Sequence, residues 1–268
     1  MTSVLNGVTS PEIAYSRHPA EGNKSLDGLP VLLLHGWGCN RNTWGPLAID
    51  LAASGCEVYA IDFPGHGQTP PPEEAWGTEE YGYALEAWME QHTGRCHVIA
   101  HSFGVRVALR LFTRRPDLAG RLVFTGGAGL PPKRSAGYYI KVYTYKAAKR
   151  LTTLPGLKGL STRMQRNAGS ADYKALEGVM RAVFVKAVNE DLAPLLPQLQ
   201  VPTLLVWGDH DAETPLWMGK RMEQDILDAG LVVFENAGHY AHLEQYARFL
   251  AIIQRFLLKE DTVIQEES

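Results

Sequence analysis

Cysteine is scarce in this chain. Only Cys39, Cys56 and Cys96 occur in 268 residues, widely spaced and with no Cys-x-x-Cys pair. A disulfide framework and a thiolate zinc site are therefore not expected, and a reducing cytoplasm is the expected compartment. No apolar run approaches the ~18 residues that a bilayer-crossing helix needs, so no membrane span is expected. The Met1-Thr2-Ser3 start has no basic stretch leading into an apolar one, so no secretory signal is expected. Nine histidines show no ligand spacing, and the expectation is no metal, no cofactor and no nucleic-acid partner. No internal repeat is found.

Hydrophobic residues make up 45% of the chain, ample for one large core. The net charge of −3 hides an asymmetry. Residues 133–190 hold twelve Lys/Arg against Asp172, Glu177 and Glu190, a balance of +9, and the remainder carries −12.

The pattern along the chain is mostly strand and helix in alternation. Val4–Val8 and Ile13–Ser16 are expected to form a short antiparallel hairpin. Val31–Leu34 reads as a fully buried strand, Trp44–Ala53 as a helix, Glu57–Ile61 as a strand and Glu79–Gln91 as a helix. The strand at Val98–Ala100 and another at Leu122–Thr125 follow. From Pro131 the rhythm breaks, with helical stretches and no convincing core strand. It resumes at Thr203–Trp207, Pro215–Leu227, Leu231–Phe234 and Leu243–Leu258. Such alternation predicts an α/β fold, a mostly parallel sheet covered by helices on both faces. The expected organisation is a core of residues 1–132 and 196–268 with a helical cap, 133–195, inserted over the carboxyl edge of the sheet.

The densest signal is Ala100-His101-Ser102-Phe103-Gly104. A buried strand runs into a helical repeat (Val105, Val107, Ala108, Leu109, Leu111, Phe112) with almost no loop between them. Small residues on both sides permit a sharp turn with Ser102 at its apex, a nucleophile elbow. A serine hydroxyl needs a base, and the base needs an orienting acid. Gly208-Asp209-His210-Asp211 and Asn236-Ala237-Gly238-His239 each follow a later strand. Loops at the carboxyl ends of parallel strands share one face, so Ser102, an Asp from 209 or 211, and His239 converge there.

With His35-Gly36-Trp37-Gly38 and Asp62-Phe63-Pro64-Gly65-His66-Gly67 ahead of them, these motifs stand in an order that resembles the α/β-hydrolase superfamily over nearly the whole length. The resemblance implies the α/β-hydrolase fold with an inserted cap. It implies that Asp211 is the acid and His239, rather than His242, the base. It also implies that the backbone N–H groups of Trp37 and Phe103 form the oxyanion hole, and that no cofactor is used. Ala100 replaces the first Gly of the family's Gly-x-Ser-x-Gly, the smallest available change. A serine nucleophile disfavours dehalogenase and epoxide-hydrolase chemistry, and Thr125–Pro132 offers no alternative carboxylate.

The expected activity is hydrolysis of a carboxylic ester or related small acyl compound through an acyl-enzyme on Ser102. The rival within the fold is carbon–carbon hydrolysis of a diketone-type substrate. Relatives with that activity typically carry Asn before the Ser and Trp after the His, where this chain has His101 and Tyr240. Acyl transfer, perhydrolysis and a slow-turnover ligand receptor are further alternatives. His35 and Asp62 are expected to buttress loops, and His101 and His242 to pack. Cys39 is expected to be a buried small hydrophobe. The basic insertion is either a solvated cationic face or a means of drawing in an anionic substrate. Arg181, Phe184 and Lys186 are candidates to line the pocket.

Overall fold

The computed structural model describes residues 3–22, 28–131 and 178–258. Most of the expected cap thus lies outside the described residues. Its final part is described and holds a helix, Gly178–Asn189.

A seven-stranded sheet forms the centre. Its strands are β3 (Tyr15–His18), β4 (Val31–Leu34), β5 (Val58–Ile61), β6 (Cys96–His101), β7 (Ala119–Thr125), β8 (Thr203–Gly208) and β9 (Ala229–Phe234), in the spatial order β3-β5-β4-β6-β7-β8-β9. All neighbours pair in parallel except β3, which runs antiparallel to β5. The amino-terminal hairpin differs from expectation. Strands β1 (Ser3–Leu5) and β2 (Val8–Ser10) pair with each other across Asn6-Gly7, and β3 joins the main sheet. Asn6 and Gly7 have φ of 51° and 79°, as a two-residue primed turn requires, so the hairpin closes at once. Pro11 then ends the ribbon.

Alternate strand residues face opposite layers. Leu32, Leu34, Val98, Ala100, Leu122 and Phe124 pack beneath α2 (Thr78–His92) and α3 (Phe103–Arg114). Val31, Leu33, Ile99, Val123 and Val206 pack against α1 (Gly45–Ala53) and the carboxyl-terminal helix on the other face. Both faces are buried, which is why these strands read as continuous apolar runs.

The connection β4-α1-β5 goes one way along the sheet, and β5-α2-β6 returns past β4 on the opposite face. Strand order therefore reverses between β4 and β6. The loops after these two strands part there and leave a crevice at their carboxyl ends. Trp37 follows β4 and Ser102 follows β6, so the topology alone brings both to this crevice.

The remaining described helices are α4 (Gly178–Asn189), α5 (Leu216–Asp225), α6 (Ala241–Glu244) and α7 (Tyr246–Leu258). Helix α4 buries Met180, Val183 and Ala187 against the same layer as α3. The single helix expected over Leu243–Leu258 is two. Gln245 leaves helical geometry at φ −122° and ψ 50°. The Gly238 N–H donates to Glu244 Oε2 (2.8 Å), and Gln245 Nε2 donates to the Glu235 carbonyl (2.6 Å). The short α6 is thereby tied to the loop that carries His239.

Candidate active site

Ser102 is the junction between β6 and α3. Its φ of 49° and ψ of −107° are costly for a residue with a side chain, and the strain persists only because the surroundings fix it. The Ser102 N–H donates to the Thr125 carbonyl (3.1 Å), and the Ser102 carbonyl accepts from Val105 (3.1 Å) and Ala128 (3.3 Å). Gly104 lets α3 start this close to β4. A Cβ there would stand 2.7 Å from the Leu34 carbonyl oxygen. On the other side, a Cβ on Gly36 would come within 2.8 Å of the His101 ring and 3.3 Å of Ser102 Cβ. The loop after β4 is thus packed against the elbow.

His239 arrives from the loop after β9. Its Nδ1 lies 2.8 Å from Asp211 Oδ2 and 3.3 Å from the Thr214 hydroxyl. Asp211 is buried, yet its carboxylate is saturated. Oδ1 accepts from the N–H groups of Glu213 (2.9 Å) and Thr214 (2.8 Å), and Oδ2 accepts from Thr214 Oγ1 (2.8 Å) as well as His239. Burial opposes ionisation, but the hydrogen bonds from His239 and Thr214 outweigh it, and the pKa lies below the usual carboxylate value. With Nδ1–H directed at an ionised Asp211, neutral His239 presents a lone pair at Nε2. Glu213 Oε2, on a mostly exposed side chain, is 3.4 Å from that Nε2. A Cβ on Gly126 would touch His239 Nδ1 at 3.0 Å, so the imidazole rests on the segment whose Thr125 carbonyl holds Ser102.

Ser102, Trp37, Phe103, Glu213 and Thr214 line one pocket. The Trp37 and Phe103 rings meet edge to face at 5.2 Å, and Phe184 of α4 reaches Trp37 at 5.1 Å. Phe103 is the first residue of α3, where the backbone N–H has no intrahelical partner and the helix dipole is positive.

The chain belongs to the alpha/beta hydrolase family. The family's sequence profile matches residues 31–252. The chain is similar, at 25% identity over 94% of its length and 95% of the relative, to a 2-hydroxy-6-oxononadienedioate/2-hydroxy-6-oxononatrienedioate hydrolase of a Pseudomonas species. It is 29% identical, over 85% of the chain and 93% of the relative, to a pimeloyl-[acyl-carrier protein] methyl ester esterase of Neisseria meningitidis. Among solved structures, an esterase from Exiguobacterium antarcticum superposes with a TM-score of 0.71 at 20% identity, covering 95% of this chain and 97% of that one, which speaks to the fold alone.

Within this alpha/beta hydrolase, the other sequence candidates separate cleanly. Asp209 accepts from the Ala237 N–H (3.4 Å) and its own N–H donates to the Phe234 carbonyl (3.1 Å), so it joins two loops and does not meet His239. His35 Nε2 accepts from the Phe63 N–H (3.0 Å), which leaves the proton on Nδ1 to donate to the Gly36 carbonyl (2.7 Å). Burial lowers its pKa to about 3, and neutral His35 ties the loop after β4 to the loop after β5. Asp62 accepts from the N–H groups of Arg41 (2.7 Å) and Gln68 (2.9 Å) and from the Arg41 guanidinium, and so braces its turn.

His101 and His242 are buried, and burial lowers both pKa values, that of His242 to about 3. His101 Nδ1 donates to the Thr125 carbonyl (3.0 Å), and its ring lies 4.7 Å from that of His239. Cys39 is half-buried rather than buried. It sits on the turn after Gly36, with Sγ 3.7 Å from the Tyr240 hydroxyl. Of the three α4 candidates, Phe184 lines the pocket. Arg181 is exposed, and Lys186 donates to the Ala75 carbonyl. Sequence reasoning missed Thr214, Glu213 and Arg106, all of which line the pocket. Thr214 was within reach, because a hydroxyl three residues after an Asp commonly bonds it locally.

Among the described residues no group of His, Cys, Asp and Glu is arranged to hold a metal ion. Among them, too, no helix is long and apolar enough to cross a membrane.

Proposed function

We propose that the protein is a serine hydrolase that cleaves a bond to the acyl carbon of a small substrate. The observation that carries this reading is the His239 Nδ1–Asp211 Oδ2 hydrogen bond of 2.8 Å, together with a Ser102 held at positive φ on a pocket also lined by Thr214, which meets both Asp211 and His239. Ser102 attacks the acyl carbon as His239 Nε2 takes its proton, and Asp211 stabilises the imidazolium that forms. The negative charge on the acyl oxygen is met by the Trp37 and Phe103 N–H groups, at the loop after β4 and the start of α3. His239 then protonates the leaving group, and water repeats the cycle on the acyl-enzyme.

Two leaving groups fit. An ester releases an alcohol, as in the methyl ester esterase relatives. A diketone-type substrate releases a carbanion equivalent that His239 must protonate. Relatives named as dienedioate or trienedioate hydrolases, one of them matching over 94% of this chain, support the carbon–carbon reading better than the ester reading. His101 and Tyr240 in place of the Asn and Trp typical of that branch weigh on the ester side.

The test is a panel of p-nitrophenyl esters and a vinylogous diketone acid, each run on wild type and Ser102→Ala. Turnover of at least one class by wild type, abolished in the variant, is the expected result. The class with the larger kcat/KM names the chemistry. Retained turnover in Ser102→Ala removes the assignment, and labelling by a fluorophosphonate without turnover favours a receptor.

A further inference from the structure

Helix α3 and the residue after it carry four arginines, and three of them are paired with carboxylates. Arg114 and Arg115 both bind Glu86, and Arg110 lies 3.8 Å from Glu190. Arg106 is the exception, although it is the most buried of the four, at 7% exposure. Among the described residues its single hydrogen bond runs from Nη1 to the Glu190 backbone carbonyl (3.2 Å). The Glu190 carboxylate is engaged elsewhere, accepting from the Thr78 N–H (3.0 Å) and the Thr78 hydroxyl. Among the described residues Arg106 Nε and Nη2 donate no hydrogen bond, and the side chain lines the same pocket as Ser102. Burial lowers its pKa to about 10, which leaves it charged at neutral pH.

The nearby Glu190 charge favours the guanidinium, but no carboxylate is hydrogen-bonded to it, and the planar fork of a buried guanidinium is shaped to take one in bidentate fashion. Arg106 begins four residues beyond Ser102 on the same helix, about 6 Å along its axis. The pocket they share is also lined by Phe103, Leu130, Phe184 and Ala187, all apolar. Glu213, also on its lining, stands 3.4 Å from His239 Nε2, where an anionic leaving portion would be repelled.

We propose that Arg106 is a specificity residue that anchors a carboxylate at the far end of the substrate's acyl chain, so that the preferred substrates are monoesters, or carbon–carbon analogues, of short dicarboxylic acids. This rests on the acyl-hydrolase reading above for its orientation. Anion binding by Arg106 does not depend on turnover.

The experiment pairs each ω-carboxylated ester with a neutral ester of the same chain length, for example mono-p-nitrophenyl adipate with p-nitrophenyl hexanoate. Wild type favours the carboxylated ester in kcat/KM by about tenfold or more. The ratio falls to about one in Arg106→Met and is partly kept in Arg106→Lys. A wild-type ratio of one or less, or an unchanged ratio in Arg106→Met, overturns the proposal, and the wild-type ratio requires no variant to fold. Calorimetry of free adipate against dimethyl adipate on wild type supplies the independent arm. If neither ester is turned over, the hydrolase reading fails. Adipate binding that is absent for the diester and lost in Arg106→Met still supports the anchor, and no adipate binding overturns it.

Discussion

The two sides of the pocket are held by different forces. Ser102, the proposed nucleophile, is positioned by backbone. Its own N–H and carbonyl are tied to Thr125, Val105 and Ala128, and the absence of a Cβ at Gly36 and Gly104 lets two segments close on it. His239, the proposed base, is positioned by side chains. Asp211 and Thr214 form a small network around Nδ1, and the backbone N–H groups of Glu213 and Thr214 fix that network through Asp211. A backbone-built site breaks when a neighbour gains bulk. A side-chain network breaks when a donor or acceptor is lost. Each can therefore be damaged in a way that spares the other.

The largest expected effect is chemical. Ser102→Ala lowers kcat by about 10⁵–10⁶, with the thermal midpoint little changed, as steady-state kinetics and calorimetry would show. Asp211→Asn follows, at roughly 10³–10⁴ in kcat, because the amide no longer holds His239 in the tautomer that frees Nε2. Its KM for a neutral ester changes far less. If Asp211→Asn retained wild-type kcat while Asp209→Asn lost it, the base side described here would be the wrong network.

Adding bulk sharpens the other half of the comparison. Gly104→Val places side-chain atoms where even a Cβ lies 2.7 Å from the Leu34 carbonyl, and costs about 1–3 kcal/mol of stability. It also displaces Ser102, so denaturant midpoint and kcat fall together. Smaller still is Thr214→Val. It removes the hydroxyl that donates to Asp211 Oδ2 at 2.8 Å, a loss of about 1 kcal/mol, or roughly fivefold in kcat. The matching rise in the Asp211 pKa is to be read by NMR titration of its carboxylate.

The buried histidines give a prediction about stability rather than rate. The folded pKa values of His35 and His242 are lowered to about 3, against an unperturbed value near 6.5. A depressed folded pKa means that the unfolded chain binds more protons between those limits. The stability these neutral imidazoles contribute is complete above about pH 6.5 and is lost progressively as pH falls toward 3. Urea midpoints measured from pH 8 to pH 4 should fall in that window, and less so in His242→Gln. A flat profile would mean that these rings take up protons in the fold as readily as in the unfolded chain.

What the sequence made legible follows the same division. Backbone devices leave a trace in spacing. Ala100 and Gly104 around Ser102, Gly36 after β4 and the apolar runs of β4 and β6 are visible before any coordinates exist. The expectation of a parallel sheet, with Ser102, an Asp from 209 or 211, and His239 on one edge, follows from them. Side-chain networks between distant elements leave no such trace. Arg106 reads as one more polar residue on a helix until Glu190 is seen turned toward Thr78. The choice between Asp209 and Asp211 needed a family resemblance, because both follow β8 and only the local turn decides which carboxylate faces the imidazole. The amino-terminal hairpin differs from the expectation in its second strand, because Asn6-Gly7 closes the ribbon locally while β3 takes its register from β5, far along the chain.

Ser102 is proposed as the attacking group, with His239 and Asp211 to activate it. The most direct measurement is stoichiometric labelling with a fluorophosphonate, with the adduct mapped by peptide mass spectrometry and residual turnover followed in parallel. One adduct per chain, on Ser102, with turnover lost in proportion and labelling slowed strongly in His239→Ala, is the predicted result. An adduct on another residue, or full turnover with Ser102 blocked, would contradict it.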